Sequence, residues 1–110
     1  MAYDEGLAER VRMHFDGAPD ITEKNMFGGR GFLKGGNYCV GVSGDSLMAR
    51  VGPDGYASAL ERDHVAPKMK TTTQKMTGYV VISPEGLEED AALAAWLDEC
   101  AAFVGTLPPK

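Results

Sequence analysis

The chain has 110 residues, 44% hydrophobic and 25% charged, the size and make-up of one folded domain spanning 1–110 rather than a disordered chain. Its net charge of −5 argues against bulk attraction to nucleic acid, and no apolar run reaches the roughly 20 residues of a membrane helix. Met1-Ala2-Tyr3-Asp4-Glu5 is acidic where a signal peptide would be basic, and Cys39 and Cys100 form no CxxC pair. The expectation is a cytoplasmic protein with two free thiols and no membrane contact.

Residues 4–15 read as a helix, because Tyr3, Leu7, Val11 and Phe15 recur every four positions on one stripe. Asp4 and Glu5 suit its N-terminus, and Gly17 and Pro19 stop it. Four short strands follow at residues 21–27, 31–34, 38–43 and 46–51, separated by Gly28-Gly29, Gly35-Gly36-Asn37 and Gly44-Asp45. Spacers this short force an antiparallel meander. Tyr38, Val40 and Val42 are expected on one face of the third strand, and Leu47, Ala49 and Val51 on one face of the fourth.

Gly52-Pro53 opens a short helix with Tyr56, Ala59 and Leu60 on its apolar side. Residues 63–77, with Pro67 and the polar run Lys70-Thr71-Thr72-Thr73-Gln74-Lys75, form a looser stretch, in which residues 68–75 read as an exposed loop or an edge strand. Gly78-Tyr79-Val80-Val81-Ile82 is a strand. The clearest helix spans residues 88–104, where Leu93, Trp96, Leu97, Cys100 and Val104 share one side, Glu88, Glu89 and Asp90 form an acidic first turn, and Gly105 ends it. The expected fold is α+β in two layers, an antiparallel sheet with helices on one face, in the order α-β-β-β-β-α-β-α, with one or two strands after the short helix.

No catalytic or metal constellation is legible. Gly28-Gly29-Arg30-Gly31 precedes a strand rather than a helix N-terminus, so it reads as a hairpin turn and not a phosphate cradle. Two histidines and two scattered cysteines cannot build a zinc site, and no DxDxDG-like loop exists, so neither metal nor cofactor is expected. Cys39 with His64 is the best nucleophile and base pair available, but a cysteine inside an apolar strand is more often core.

Charge is uneven: residues 1–20 and 83–110 are acidic, while residues 21–82 carry eight Lys and Arg against five Asp and Glu. Either the basic middle complements the acidic helices within the molecule, or it forms a surface for an anionic partner. Lys24, Arg30, Arg50, Lys68, Lys70 and Lys75 are the candidate interaction residues of such a surface.

The stretches Thr22-Glu23-Lys24-Asn25-Met26-Phe27-Gly28-Gly29, Asn37-Tyr38-Cys39-Val40-Gly41-Val42, Ser46-Leu47-Met48-Ala49-Arg50-Val51-Gly52 and Met76-Thr77-Gly78-Tyr79-Val80 carry a resemblance. With Trp96 and the ending Leu107-Pro108-Pro109-Lys110, the chain resembles the TfoX N-terminal domain family, related to the competence regulators TfoX and Sxy. The resemblance implies a two-layer α+β fold and a regulatory role, which longer members exert on competence-gene transcription with the cyclic-AMP receptor protein. Those members carry a second, C-terminal domain, which a chain ending at Lys110 is expected to lack. No catalytic residues come with the resemblance.

The leading expectation is a non-enzymatic regulatory module that docks a protein partner. Weak electrostatic binding of nucleic acid through the six basic residues is the alternative, and a small enzyme using Cys39 and His64 the third reading. An exposed sheet edge leaves room for a homodimer.

Overall fold

The computed structural model describes residues 3–26 and 28–110. Helix α1 (Glu5–His14) begins at Asp4, whose carboxylate accepts from the Leu7 amide at 3.1 Å as a side-chain N-cap. Strands β1 (Ile21–Met26), β2 (Gly29–Lys34), β3 (Asn37–Ser43) and β4 (Ser46–Arg50) form the expected antiparallel meander. The first strand was expected to run to Phe27, which lies outside the described residues. Gly35 (φ 59°) and Gly36 (φ 85°) make the two-residue turn between β2 and β3, where both central residues need positive φ.

Pro53 opens α2 (Pro53–Leu60) at its first turn. The stretch at 63–77 then resolves into an edge strand, β5 (Val65–Met69), and the start of β6 (Lys75–Ile82), which pair with each other. Two strands therefore follow the short helix. Pro67 is tolerated because β5 is an edge strand with a single partner. The sheet order is β1-β2-β3-β4-β6-β5, antiparallel throughout.

The last helix, α3 (Asp90–Val104), starts two residues later than the sequence suggests. Pro84 nucleates a separate 3-10 turn (Pro84–Leu87), and extended Glu89 divides it from α3, so only Asp90 of the three acids lies in the first turn. The five residues expected on its packing side, Leu93, Trp96, Leu97, Cys100 and Val104, are all buried.

All three helices cover the same side of the sheet. α3 lies across β3 and β4, α1 packs beside it over β3, and α2 covers β6 and β5. The core between the layers joins Phe32, Val40, Val42, Leu47, Ala49, Val80 and Ile82 from the sheet to Leu7, Val11, Leu97 and their helical neighbours. Among the described residues no helix covers the other side of the sheet, the open face.

One strand breaks its expected alternation. The β2–β3 register shifts between Phe32, paired with Val40, and Leu33, paired with Tyr38, so Cys39 is an extra residue in β3. Cys39 and Val40 are both buried in the core in consequence, and Tyr38 turns to the open face. Tyr38 does not share the face of Val40 and Val42.

Ion pairs tie the helical layer together and anchor it to the meander. Glu23 on β1 takes a two-pronged contact from Arg12 of α1, at 2.6 and 2.9 Å, and a third from Arg30 of β2 at 3.0 Å. Arg10 meets Asp90 at 3.0 Å and His14 meets Asp98 at 2.8 Å, both between α1 and α3.

The Arg12 hydrogen bond, with Arg30 adding to it, holds the Glu23 carboxyl below the usual glutamate range. A carboxylate with a lowered folded pKa adds stability that is present above the unfolded value, about 4.3, and is lost as pH falls through the folded one. Glu23→Gln is expected to cost about 1–2 kcal/mol at pH 7, less than a buried pair because Arg12 is partly solvated. Urea unfolding at pH 7 and pH 3 should show a smaller acid-induced loss in the variant than in the parent. An equal loss would mean that Glu23 does not anchor α1 to the sheet.

Candidate functional site

Alternation along the strands decides which side chains reach the open face. Lys24 and Met26 of β1 point there, as do Gly31 and Leu33 of β2, Met48 and Arg50 of β4, and Tyr79 of β6. Met76 joins them out of step, three residues before Tyr79, where Gly78 (φ 92°) and the shift in the β5–β6 register break the alternation. These residues, with Tyr38, Lys68 and Lys110, surround a cavity of about 440 Å³. Its floor is apolar or aromatic, and its charged lining residues are Lys24, Arg50, Lys68 and Lys110. Among the described residues no acidic side chain lines it.

Two glycines make the floor flat. A Cβ on Gly41 would run into the Tyr38 hydroxyl, and one on Gly31 would run into the Met26 thioether. The missing side chains let Tyr38 and Met26 lie down over the sheet. Burial pushes the Tyr38 phenol well above its ordinary pKa, so the floor carries no charge of its own.

Arg50 occupies the boundary between floor and rim. Its guanidinium sits 5.5 Å from the Tyr79 ring centroid and 5.8 Å from that of Phe103, and donates to the Tyr38 carbonyl at 3.2 Å. Lys110 comes from the C-terminal tail, which folds back over the β2–β3 turn. The Asn37 side-chain amide donates to the Pro108 carbonyl at 2.9 Å, and the Lys110 amide to the Gly35 carbonyl at 2.8 Å. Buried Asn37 thus fixes where the tail brings its charge.

The six basic residues expected to act together are split by the fold. Lys24, Arg50 and Lys68 converge on the cavity. Lys70 and Lys75 are exposed at the far end of the β5–β6 hairpin. Arg30 faces the helices instead, bound to Glu23 and to the Asn25 side chain at 2.9 Å. Lys24 pairs with Gly31 across β1 and β2, so Arg30, one residue earlier, projects to the opposite side. The methionines, Tyr38, Tyr79 and Lys110 were not singled out from the sequence. The available signal was the open-side position of Met26 and Met48 in their strands; Met76 gave none, because Gly78 breaks the alternation between it and Tyr79.

Pairing separates the cations further. Arg10, Arg12, Arg30, Lys34 and Arg62 all bond carboxylates on the helix-covered side. Among the described residues Lys24, Arg50, Lys68, Lys70 and Lys75 form no ion pair. Complementarity within the molecule therefore explains one side of the sheet and leaves the other positive.

Cys39 and His64 are not brought together. Cys39 lies in the core with no exposed surface, whereas His64 is exposed between α2 and β5, its carbonyl accepting from the Ser83 amide at 2.9 Å. Gly28 has positive φ in the turn before β2, as a hairpin requires, and no helix follows it. Among the described residues no group of three or more His, Cys, Asp or Glu is placed to hold a metal ion, and no helix is long and apolar enough to cross a membrane.

The profile of the TfoX N-terminal domain matches residues 13–104, so the chain belongs to the TfoX N-terminal domain family. At the level of the family this is a regulatory-type module. Comparison with curated proteins and with solved structures finds no significant match.

Burial pushes the Cys39 thiol up to about 12, and Cys100 is raised by the same cause. The thiolate is the reactive form, so at pH 8 neither cysteine should react with an aromatic disulfide reagent while the protein is folded. Both should react within seconds to minutes in denaturant. Rapid labelling of native Cys39 would show that β3 opens and that the packing described for it is wrong.

Proposed function

We propose that this protein is a non-enzymatic regulatory module that docks an acidic protein partner through the open face of its sheet, in the cytoplasm and in the service of transcriptional control. The observation that carries the reading is the convergence of Lys24, Arg50, Lys68 and Lys110 on an apolar cavity lined, among the described residues, by no Asp or Glu side chain, while the helix-side cations are paired. An apolar patch rimmed by one sign of charge is the pattern of a recognition surface. Family membership supports the regulatory character.

Nucleic acid is the second reading, and one feature favours it. The Tyr38 and Tyr79 rings, 6.3 Å apart, lie among the cations, as stacking side chains do on single-strand platforms. The overall charge of −5 and the small number of such rings weigh on the other side.

Both readings are tested with the double variant Lys68→Glu, Lys70→Glu, which changes exposed or half-exposed residues of the hairpin and leaves the core intact. Immobilised parent protein should retain a stoichiometric protein from cytoplasmic extract at low salt, and the double variant should retain at least tenfold less. Equal retention by the two proteins would place docking elsewhere. For the second reading, affinity for short DNA or RNA should fall steeply between 50 and 200 mM salt. Absence of binding at the lower salt removes it.

A further inference from the structure

We infer that the open-face cavity is a binding site for a small organic anion, a carboxylate or phosphate joined to an aromatic or branched aliphatic body. The site needs no protein partner. That its occupant would compete with docking, by taking up the same cations, rests on the reading above.

The cavity differs from the other clefts of the molecule in its charge. The cleft between α1 and α3 contains Arg10 with its partner Asp90, and the one beside β1 contains Arg12 and Arg30 with Glu23. A ligand there would have to displace an existing ion pair. In the open-face cavity Lys24, Arg50 and Lys68 form no ion pair among the described residues, so an anion gains their charge without breaking one.

Size and shape fit the same ligand. A volume of about 440 Å³ falls within the roughly 300–1,000 Å³ of small-molecule pockets. The apolar body would rest on Leu33, Met48, Met76 and Tyr79, and its head on Arg50 and the lysines. Methionine side chains are unbranched and polarizable, so this floor can adapt to ring or chain. Arg50 is the orienting group, since Tyr79 and the Tyr38 carbonyl hold its guanidinium in place.

The test uses the whole protein with ¹³C-methyl methionine and three probe pairs: phenylacetate against phenylacetamide, 4-methylpentanoate against its amide, and phenyl phosphate against benzyl alcohol. The methyls of Met26, Met48 and Met76 should shift saturably with at least one anion, with Kd roughly millimolar or tighter for about ten heavy atoms. Met13, 70% exposed on α1, should stay still. The neutral analogue should bind at least tenfold more weakly, and the carboxylate and phosphate arms identify the preferred head group. Lys68→Gln should weaken binding about threefold and Arg50→Gln about tenfold. Since Arg50 also touches β3 and α3, Lys68→Gln is the decisive variant should Arg50→Gln unfold. No saturation with any anion, equal binding of the amide, or Met13 shifting with the same affinity would each overturn the site. Partner capture is measured separately on protein without probe, so failure of the cavity and failure of docking give different results.

Discussion

The extra residue in β3 governs how the two faces of the sheet differ. With strict alternation Tyr38 would follow Val40 and Val42 into the core, and Cys39 would point away from the helices. The bulge beside Phe32 and Leu33 instead keeps Cys39 and Val40 together under the helical layer and sends Tyr38 outward. A large ring on that side needs room, and Gly41 and Gly31 provide it by having no Cβ. The Tyr38 carbonyl in turn holds Arg50, so one local irregularity shapes the floor of the cavity and places its central cation.

Charge is divided along the same plane. Asp90 and Asp98 of α3 meet Arg10 and His14 of α1, and Glu23 of β1 holds two guanidinium groups at once. These contacts are partly solvated and individually modest in energy, so their structural effect is to fix the angle of the helices more than to stabilise the fold greatly. The open face receives none of this compensation. A protein of net charge −5 thereby presents one positive, apolar-centred surface, and the overall charge is a poor guide to what that surface attracts.

The sequence revealed what depends on local periodicity. The stripe of Leu7 and Val11, the five buried residues of α3 and the glycine turns of the meander all follow from spacing within one element. What it concealed depends on register between elements. Nothing local tells that Lys24 and Arg30 project to opposite sides, because that follows from the pairing of Lys24 with Gly31 across a turn. The bulge at Cys39 is equally silent, since valine and cysteine on either face look alike. Within residues 63–77 the sequence left loop and edge strand as alternatives, because an edge strand with one partner needs neither a full set of amide donors nor an apolar pattern. Lys110 could be placed only once Asn37 and Gly35 were seen to hold the tail.

The central claim is that this domain works through the face its helices leave bare. Amide and methyl chemical-shift mapping of the labelled protein with a cytoplasmic partner fraction tests it most directly. The account predicts perturbations clustered on Lys24, Met48, Arg50, Lys68 and Tyr79, with the α1–α3 surface around Arg10, Met13 and Asp98 unchanged. Perturbations centred on that helical surface, with the open face silent, would contradict it.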